Sequence, residues 1–268
     1  MPQTSLDKFF GELYQSYKDG QKRDMLKDFE KYLAIKKVKY KIDYESKNIS
    51  KIPTIIVANH FVRPLLPRRS FLTTGESAIT SAIITIAAAK LVGKKITWVV
   101  KDDLTENVFF LSLKMRKIQL AAIYCYDAIG VSRNYPFGQF EKWAIYLKKG
   151  YSIGSYPEAA VSREMKKAKV GFAELLKYLK NNKIKYQILP VSIYFSKSSF
   201  YAHVAKPITP FADPAKSANL AMLKIASNLP IFWQGDYKKE AENFKAQVHK
   251  QQAGDRKQEP PAPEAISI

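Results

Sequence analysis

His60 is the residue of this sequence best suited to proton transfer. It follows a short β-branched apolar run, Thr54 to Ala58, and Asn59. Such a run reads as a strand buried on both faces. In open α/β sheets, ligands gather at the carboxyl ends of strands. Imidazole is the one side chain that titrates near neutrality unaided, so a histidine there is a candidate general base. Another short predicted strand, 151–155, precedes Tyr156-Pro157-Glu158. Basic side chains surround these blocks in sequence. Arg63, Arg68 and Arg69 lie in a proline-bearing loop after His60, Lys101 follows a predicted strand, and Arg133 follows Gly130-Val131-Ser132. Arginine meets phosphate oxygens bidentately, so Arg63 is a candidate contact for a phosphate group. Asp102 and Asp103 fit helix capping better than a carboxylate pair.

Other chemistries find little support. The single cysteine, Cys125, lies in the apolar stretch AAIYCYDAIG and reads as a small buried hydrophobe. His60, His203 and His249 share no zinc-ligand spacing, and no metal or other cofactor is expected. Neither a P-loop nor a dinucleotide-binding glycine pattern occurs.

The elements that must position these residues alternate. A helical pattern covers 5–35, with Gly20 as its break point, and leaves one face to lysines. It packs on the domain or lies on an anionic membrane surface. A strand over 38–44 and the buried strand 54–58 follow. A helix starts at Thr73-Thr74-Gly75-Glu76 and stops at Gly93. Strand 96–100, an amphipathic segment 104–117, a β-type run 121–126, helix 138–149 and strand 151–155 come next. Helix 168–181, strands 187–194 and 200–205, and helix 215–228 complete the series. This alternation predicts an α/β fold, a layered central β-sheet flanked by helices, with an N-terminal helical segment. The organisation expected is an N-terminal segment 1–37, an α/β domain 38–250, and a Pro-rich polar tail 251–268 that is disordered.

The chain has 268 residues, with 44 Lys and Arg against 24 Asp and Glu, a formal net charge of +20. So basic a surface attracts polyanions: nucleic acid, anionic lipid or phosphorylated substrates. No helix-turn-helix, zinc-finger or RNP signature is present, so nucleic acid is not the expected partner. The N-terminus has no secretory h-region. The longest uncharged run, Ser77 to Ala89, is too short to span a bilayer comfortably. The expected location is cytoplasmic, peripheral to the inner face of the cell membrane.

Four segments in order resemble the glycerol-phosphate and lysophosphatidate acyltransferase family. They are Ile55-Ile56-Val57-Ala58-Asn59-His60, Gly130-Val131-Ser132-Arg133, Gly154-Ser155-Tyr156-Pro157-Glu158 and Ile188-Leu189-Pro190-Val191-Ser192-Ile193. Lys169-Val170-Gly171 and Ala205-Lys206-Pro207 resemble further family turns, so the likeness spans roughly 38–212. The resemblance implies an acyltransferase-like fold. It also implies transfer of a fatty acyl group from acyl-CoA or acyl-carrier protein to a hydroxyl of a glycerophospholipid precursor or other lipid alcohol. His60 would be the general base, Arg133 and Glu158 would bind the acceptor, and an anionic membrane surface would be a partner.

The pattern departs from the family at two places. The family's H-x-x-x-x-D motif has Leu65 where the aspartate belongs, and no acid intervenes before Glu76. Either Glu76, at a helix start that favours an anion, hydrogen-bonds His60 in its place, or the site is degenerate. The family's Pro-Glu-Gly-Thr is Pro157-Glu158-Ala159-Ala160 here, which keeps open a catalytically inactive peripheral lipid-binding relative.

Overall fold

A computed structural model describes residues 4–47, 49–61, 71–93, 95–101, 111–131, 138–159 and 162–256. Seven strands form one sheet in the order β1-β7-β6-β2-β5-β3-β4. They are β1 (Tyr40–Tyr44), β2 (Thr54–Ala58), β3 (Ile96–Lys101), β4 (Ile129–Val131), β5 (Ser152–Ser155), β6 (Gln187–Ser196) and β7 (Ser199–Val204). All neighbours pair in parallel except β6 and β7, which form an antiparallel hairpin. The predicted α/β class is the one observed.

β2 sits in the middle of the sheet, and all five of its residues are buried. Its side chains alternate between two cores. Ile55 and Val57 join Leu175, Leu176 and Ile225 on one face. Ile56 and Ala58 join Ile83, Ala87 and Tyr32 on the other. The first face is covered by α5 (Gly138–Lys148), α6 (Val170–Asn181), α7 (Pro214–Ser227) and α8 (Lys238–Arg256). The second is covered by α3 (Phe71–Val92), with α1 (Ser5–Lys18) and α2 (Met25–Ile35) outside it. Ala82, Ile83, Ile84, Ala87 and Ala88 of α3 are all fully buried. A helix apolar on every side needs neighbours on every side, and α3 has the sheet beneath it and α2 above it.

The N-terminal helices are part of this packing. Phe9, Leu13, Tyr32 and Leu33 are buried. Arg23 holds both carboxylate oxygens of Asp28, which also accepts from the Tyr126 hydroxyl at 2.9 Å. The apolar stripe of residues 5–35 therefore faces the domain. The break comes as a linker over 19–24, with Gly20 at φ +68°.

Two segments differ from the sequence reading. The β-type run 121–126 belongs to helix α4 (Leu111–Cys125), where Ile118, Ala121, Ala122 and Cys125 recur every three or four residues against Leu13. A short apolar run does not separate buried helix from strand by composition. The strand lies farther on, at β4. The irregular tail expected from Gln251 begins as helix, since α8 continues to Arg256. Cys125 is buried, as its apolar surroundings predict.

Candidate active site

The chain leaves β2 by α3 on one face of the sheet, and leaves β5 by α6 on the other. Adjacent parallel strands whose connections part in this way open a crevice at their carboxyl ends. The register pairs Val57 with Ser155. His60 and Glu158 each stand three residues beyond that pair, so both reach the crevice.

Asn59 fixes the backbone entering the site. Its amide nitrogen donates to the Ile193 carbonyl at 2.8 Å, and its oxygen accepts from the Ile193 N–H at 2.8 Å. The side chain thereby extends the ladder between β2 and β6 by one step. Beyond it, the His60 carbonyl accepts from Ser162 N–H at 3.0 Å, and Phe61 packs edge-on to Trp233 at 5.0 Å.

The His60 ring lies flat on Tyr156, with centroids 4.1 Å apart and planes 8° from parallel. Tyr156 in turn meets Trp98, at 5.1 Å. Gly154 makes this stack possible, because a Cβ there would stand 2.6 Å from the Trp98 ring. Trp98 donates to Thr85 at 2.7 Å, and the Tyr156 and Ser81 hydroxyls are 2.8 Å apart. The aromatic stack is thus tied at Trp98 and at its middle ring, Tyr156, to one face of α3.

His60 Nε2 lies 3.3 Å from Ser77 Oγ. Its Nδ1 is buried and has no hydrogen-bond partner among the described residues. Burial pushes its pKa from 6.5 to about 4, so the imidazole is neutral at physiological pH. Glu158 is 1% exposed. Burial raises its carboxyl to about 8, although the backbone of Lys166 and of His60 pulls the other way. Its Oε1 is also without a partner. A neutral imidazole and a neutral carboxyl thus follow the carboxyl ends of neighbouring strands, each with a buried polar atom that has no partner among the described residues.

Glu76 is 2% exposed, but the expected hydrogen bond from its carboxylate to His60 is not formed. The helix register brings the next residue, Ser77, to the imidazole instead. Lys101 closes β3 and pairs with Val131 of β4. It is three residues past the Trp98–Gly154 pair, so its backbone stands at the same end of the sheet. Arg63, Arg68, Arg69, Asp102, Asp103 and Arg133 lie outside the described residues. Sequence reasoning missed Ser77 and the ring role of Tyr156. Gly154 was the available signal, since glycine inside a strand marks close approach by a neighbour.

No family model and no curated protein sequence matches the chain. A search of solved structures returns the crystal structure of the 1-acyl-sn-glycerophosphate (LPA) acyltransferase PlsC from Thermotoga maritima. The likeness covers 88% of this chain and 80% of that one, with 14% identity and a TM-score of 0.43.

Proposed function

We propose that the chain transfers an acyl group from a thioester, acyl-CoA or acyl-carrier protein, to the hydroxyl of a glycerophospholipid precursor or another lipid alcohol. The observation that carries this reading is the position of His60 and Glu158, each three residues past the paired Val57 and Ser155 at the carboxyl ends of β2 and β5. The ordered sequence blocks that resemble the glycerolipid acyltransferases support it.

The chemistry follows from the ring's surroundings. When Nε2–H donates to Ser77 Oγ, the Nδ1 lone pair is left for the acceptor hydroxyl. His60 removes that proton as the oxygen attacks the thioester carbonyl carbon. The tetrahedral intermediate collapses, the carbon–sulfur bond breaks, and the imidazolium proton passes to the departing thiolate. A base with so low a proton affinity releases its proton readily. Glu158, protonated at neutral pH, donates to or accepts from acceptor hydroxyls. Arg63, Lys101 and Arg133 supply positive charge for phosphate, on donor or acceptor. The basic chain works at the inner face of the cell membrane, peripheral to an anionic surface.

A catalytically inactive lipid-binding relative is the second reading. It is favoured by one observation: among the described residues, no carboxylate is bonded to the His60 imidazole. Thiol release from acyl-CoA or acyl-carrier protein, over a panel of lipid alcohols, separates the two. Release that disappears in His60→Ala is the expected outcome. No release with either donor would leave the lipid-binding reading.

A further inference from the structure

The amphipathic stripe of α1 and α2 is spent inside the fold and offers no apolar face to a membrane. Among the described residues, the two most exposed large apolar side chains are Phe232, at 81%, and Val170, at 78%. Ile231, beside Phe232, is 44% exposed. Isolated surface hydrophobes are ordinary. These belong to two segments held side by side: Met165 N–H donates to the Trp233 carbonyl at 2.9 Å, Asp236 N–H donates to the Met165 carbonyl at 3.0 Å, and Ala168 N–H donates to the Tyr237 hydroxyl at 3.3 Å.

The presentation of Phe232 is built in. The chain forms two 3-10 turns, Ile231–Trp233 and Gly235–Tyr237. Trp233 turns inward onto Phe61, the neighbour of His60. The buried Gln234 amide donates to the Leu229 carbonyl at 3.0 Å. Gly235 has φ +51°, and a Cβ on it would stand 2.1 Å from the Met165 carbonyl oxygen. With those three residues fixed inward, Phe232 is held out. Val170 opens α6 next to Lys169, whose N–H donates to the Pro157 carbonyl at 2.9 Å. Each protrusion therefore adjoins a residue that touches the chain neighbour of His60 or Glu158: Trp233 meets Phe61, and Lys169 meets Pro157.

Lysines accompany them. Lys167, Lys169, Lys238 and Lys239 are all exposed. Asp236, the acid between them, is engaged by Lys166 Nζ at 3.2 Å and by the Lys167 N–H at 3.2 Å, while Glu240 is exposed at the far end. An aromatic and aliphatic tip with a basic surround matches an anionic bilayer, where apolar side chains enter the headgroup boundary and lysines meet lipid phosphates.

We propose that Ile231–Phe232, with Val170 and the adjacent lysines, is the surface by which this protein docks on anionic lipid bilayers. Docked this way, the crevice holding His60 and Glu158 opens close to the lipid. That purpose rests on the lipid-acceptor reading above; the docking itself does not.

The test is partition of the full chain onto vesicles of phosphatidylcholine, with and without phosphatidylglycerol. The wild type is expected to favour the phosphatidylglycerol vesicles. Ile231→Ser with Phe232→Ser is expected to lower partition about tenfold, from the lost burial of apolar side chains. Lys167→Gln with Lys239→Gln should weaken binding to anionic vesicles and flatten its salt dependence. Cys125 is the only native thiol and is buried. A Phe232→Cys variant labelled with a polarity-sensitive dye therefore reports insertion directly, and its emission should shift to the blue with anionic vesicles. Unchanged partition in the serine double variant, or a dye that stays in water on bound vesicles, would overturn the proposal. So would loss of self-association in that variant with partition intact, which would assign the surface to a second copy. Partition needs no catalysis: Phe232-dependent binding without thiol release removes the transferase reading and leaves the docking surface standing.

Discussion

The His60 imidazole and the Tyr156 phenol ring are stacked, 8° from parallel at 4.1 Å. Tyr156 itself is partly buried, and desolvation raises its hydroxyl to about 12. The phenol therefore shields one face of the imidazole from water without offering it a charge. Desolvation disfavours the protonated ring, and it is the physical cause of the lowered His60 pKa. The acid limb of the pH–rate profile for thiol release should then fall near pH 4. Tyr156→Phe keeps the stack and should keep that limb. Tyr156→Ala admits water to the ring and should move the limb up toward 6.5, the ordinary value. An unmoved limb in the alanine variant would show that another group governs it.

Glu158 and His60 act on stability in opposite directions. The folded pKa of His60, about 4, is below its ordinary 6.5. Between those values the unfolded chain holds more protons, so stability is lost as pH falls through that window. The folded pKa of Glu158, about 8, is above its ordinary 4.5. Its contribution is complete below 4.5 and is lost as pH rises toward 8. Glu158→Gln preserves the neutral shape and removes the titration. Relative to that variant, the wild type should lose stability on the order of 3 kcal/mol across the window. Urea denaturation of both proteins at a series of pH values measures it, and parallel stability curves would contradict it.

Asn59 offers a test of how the site is held. Its amide satisfies both backbone groups of Ile193, and Asn59 itself is 4% exposed. Asn59→Ala leaves a buried N–H and a buried carbonyl unpaired. The expected cost is roughly 3 kcal/mol, together with loss of thiol release, because His60 is the next residue. Equilibrium denaturation reads the first effect. A destabilisation well under 1 kcal/mol would mean that water replaces the amide.

The placement of His60 and Glu158 just past the ends of two strands was legible in the sequence because its signals are local. Thr54 to Ala58 is a continuous apolar run of the kind a strand buried on both faces requires, and Pro157 marks where β5 gives way to Glu158. The stack was not legible. It depends on β3 and β5 pairing at Trp98 and Gly154, which are 56 positions apart, and on α3 presenting Ser77 and Ser81 inward at one helical turn's separation. Neither follows from spacing. The run 121–126 went to the wrong class for a related reason: Ala121 and Cys125 read as strand until Leu13, far away in sequence, is placed against them.

Gly154 carries that pairing, and its replacement isolates it. Gly154→Ala puts a methyl 2.6 Å from the Trp98 ring within a β-strand. Trp98 has to move, and its bond to Thr85 and its contact with Tyr156 go with it. Overpacking of this kind costs about 1–3 kcal/mol. The near-ultraviolet circular dichroism of the tryptophans should change with it. The second variant Thr85→Val removes the Trp98 hydrogen bond together with the one Thr85 Oγ1 donates to the Ser81 carbonyl within the helix, and should change stability while leaving most of the thiol release. Equal activity in Gly154→Ala and wild type would show that the stack does not position His60.

Ser77 and Glu76 give opposite expectations for the group that orients the imidazole. The helix places Ser77 Oγ at His60 Nε2, whereas the sequence alone points to the carboxylate before it. A hydroxyl fixes the ring's orientation and tautomer without supplying negative charge to the imidazolium, so its removal loosens the base and leaves the ring's pKa governed by burial. Ser77→Ala should lower kcat about tenfold with little change in KM, as expected for a group that acts through the base. Its acid limb should stay near that of the wild type, and Ser77→Thr should restore part of the rate. Glu76→Gln, which keeps the shape of the side chain, should change kcat less than Ser77→Ala does. The reverse ranking, with an acid limb that moves in Glu76→Gln, would return the orienting role to the carboxylate and mean that the ring turns toward it when substrate binds.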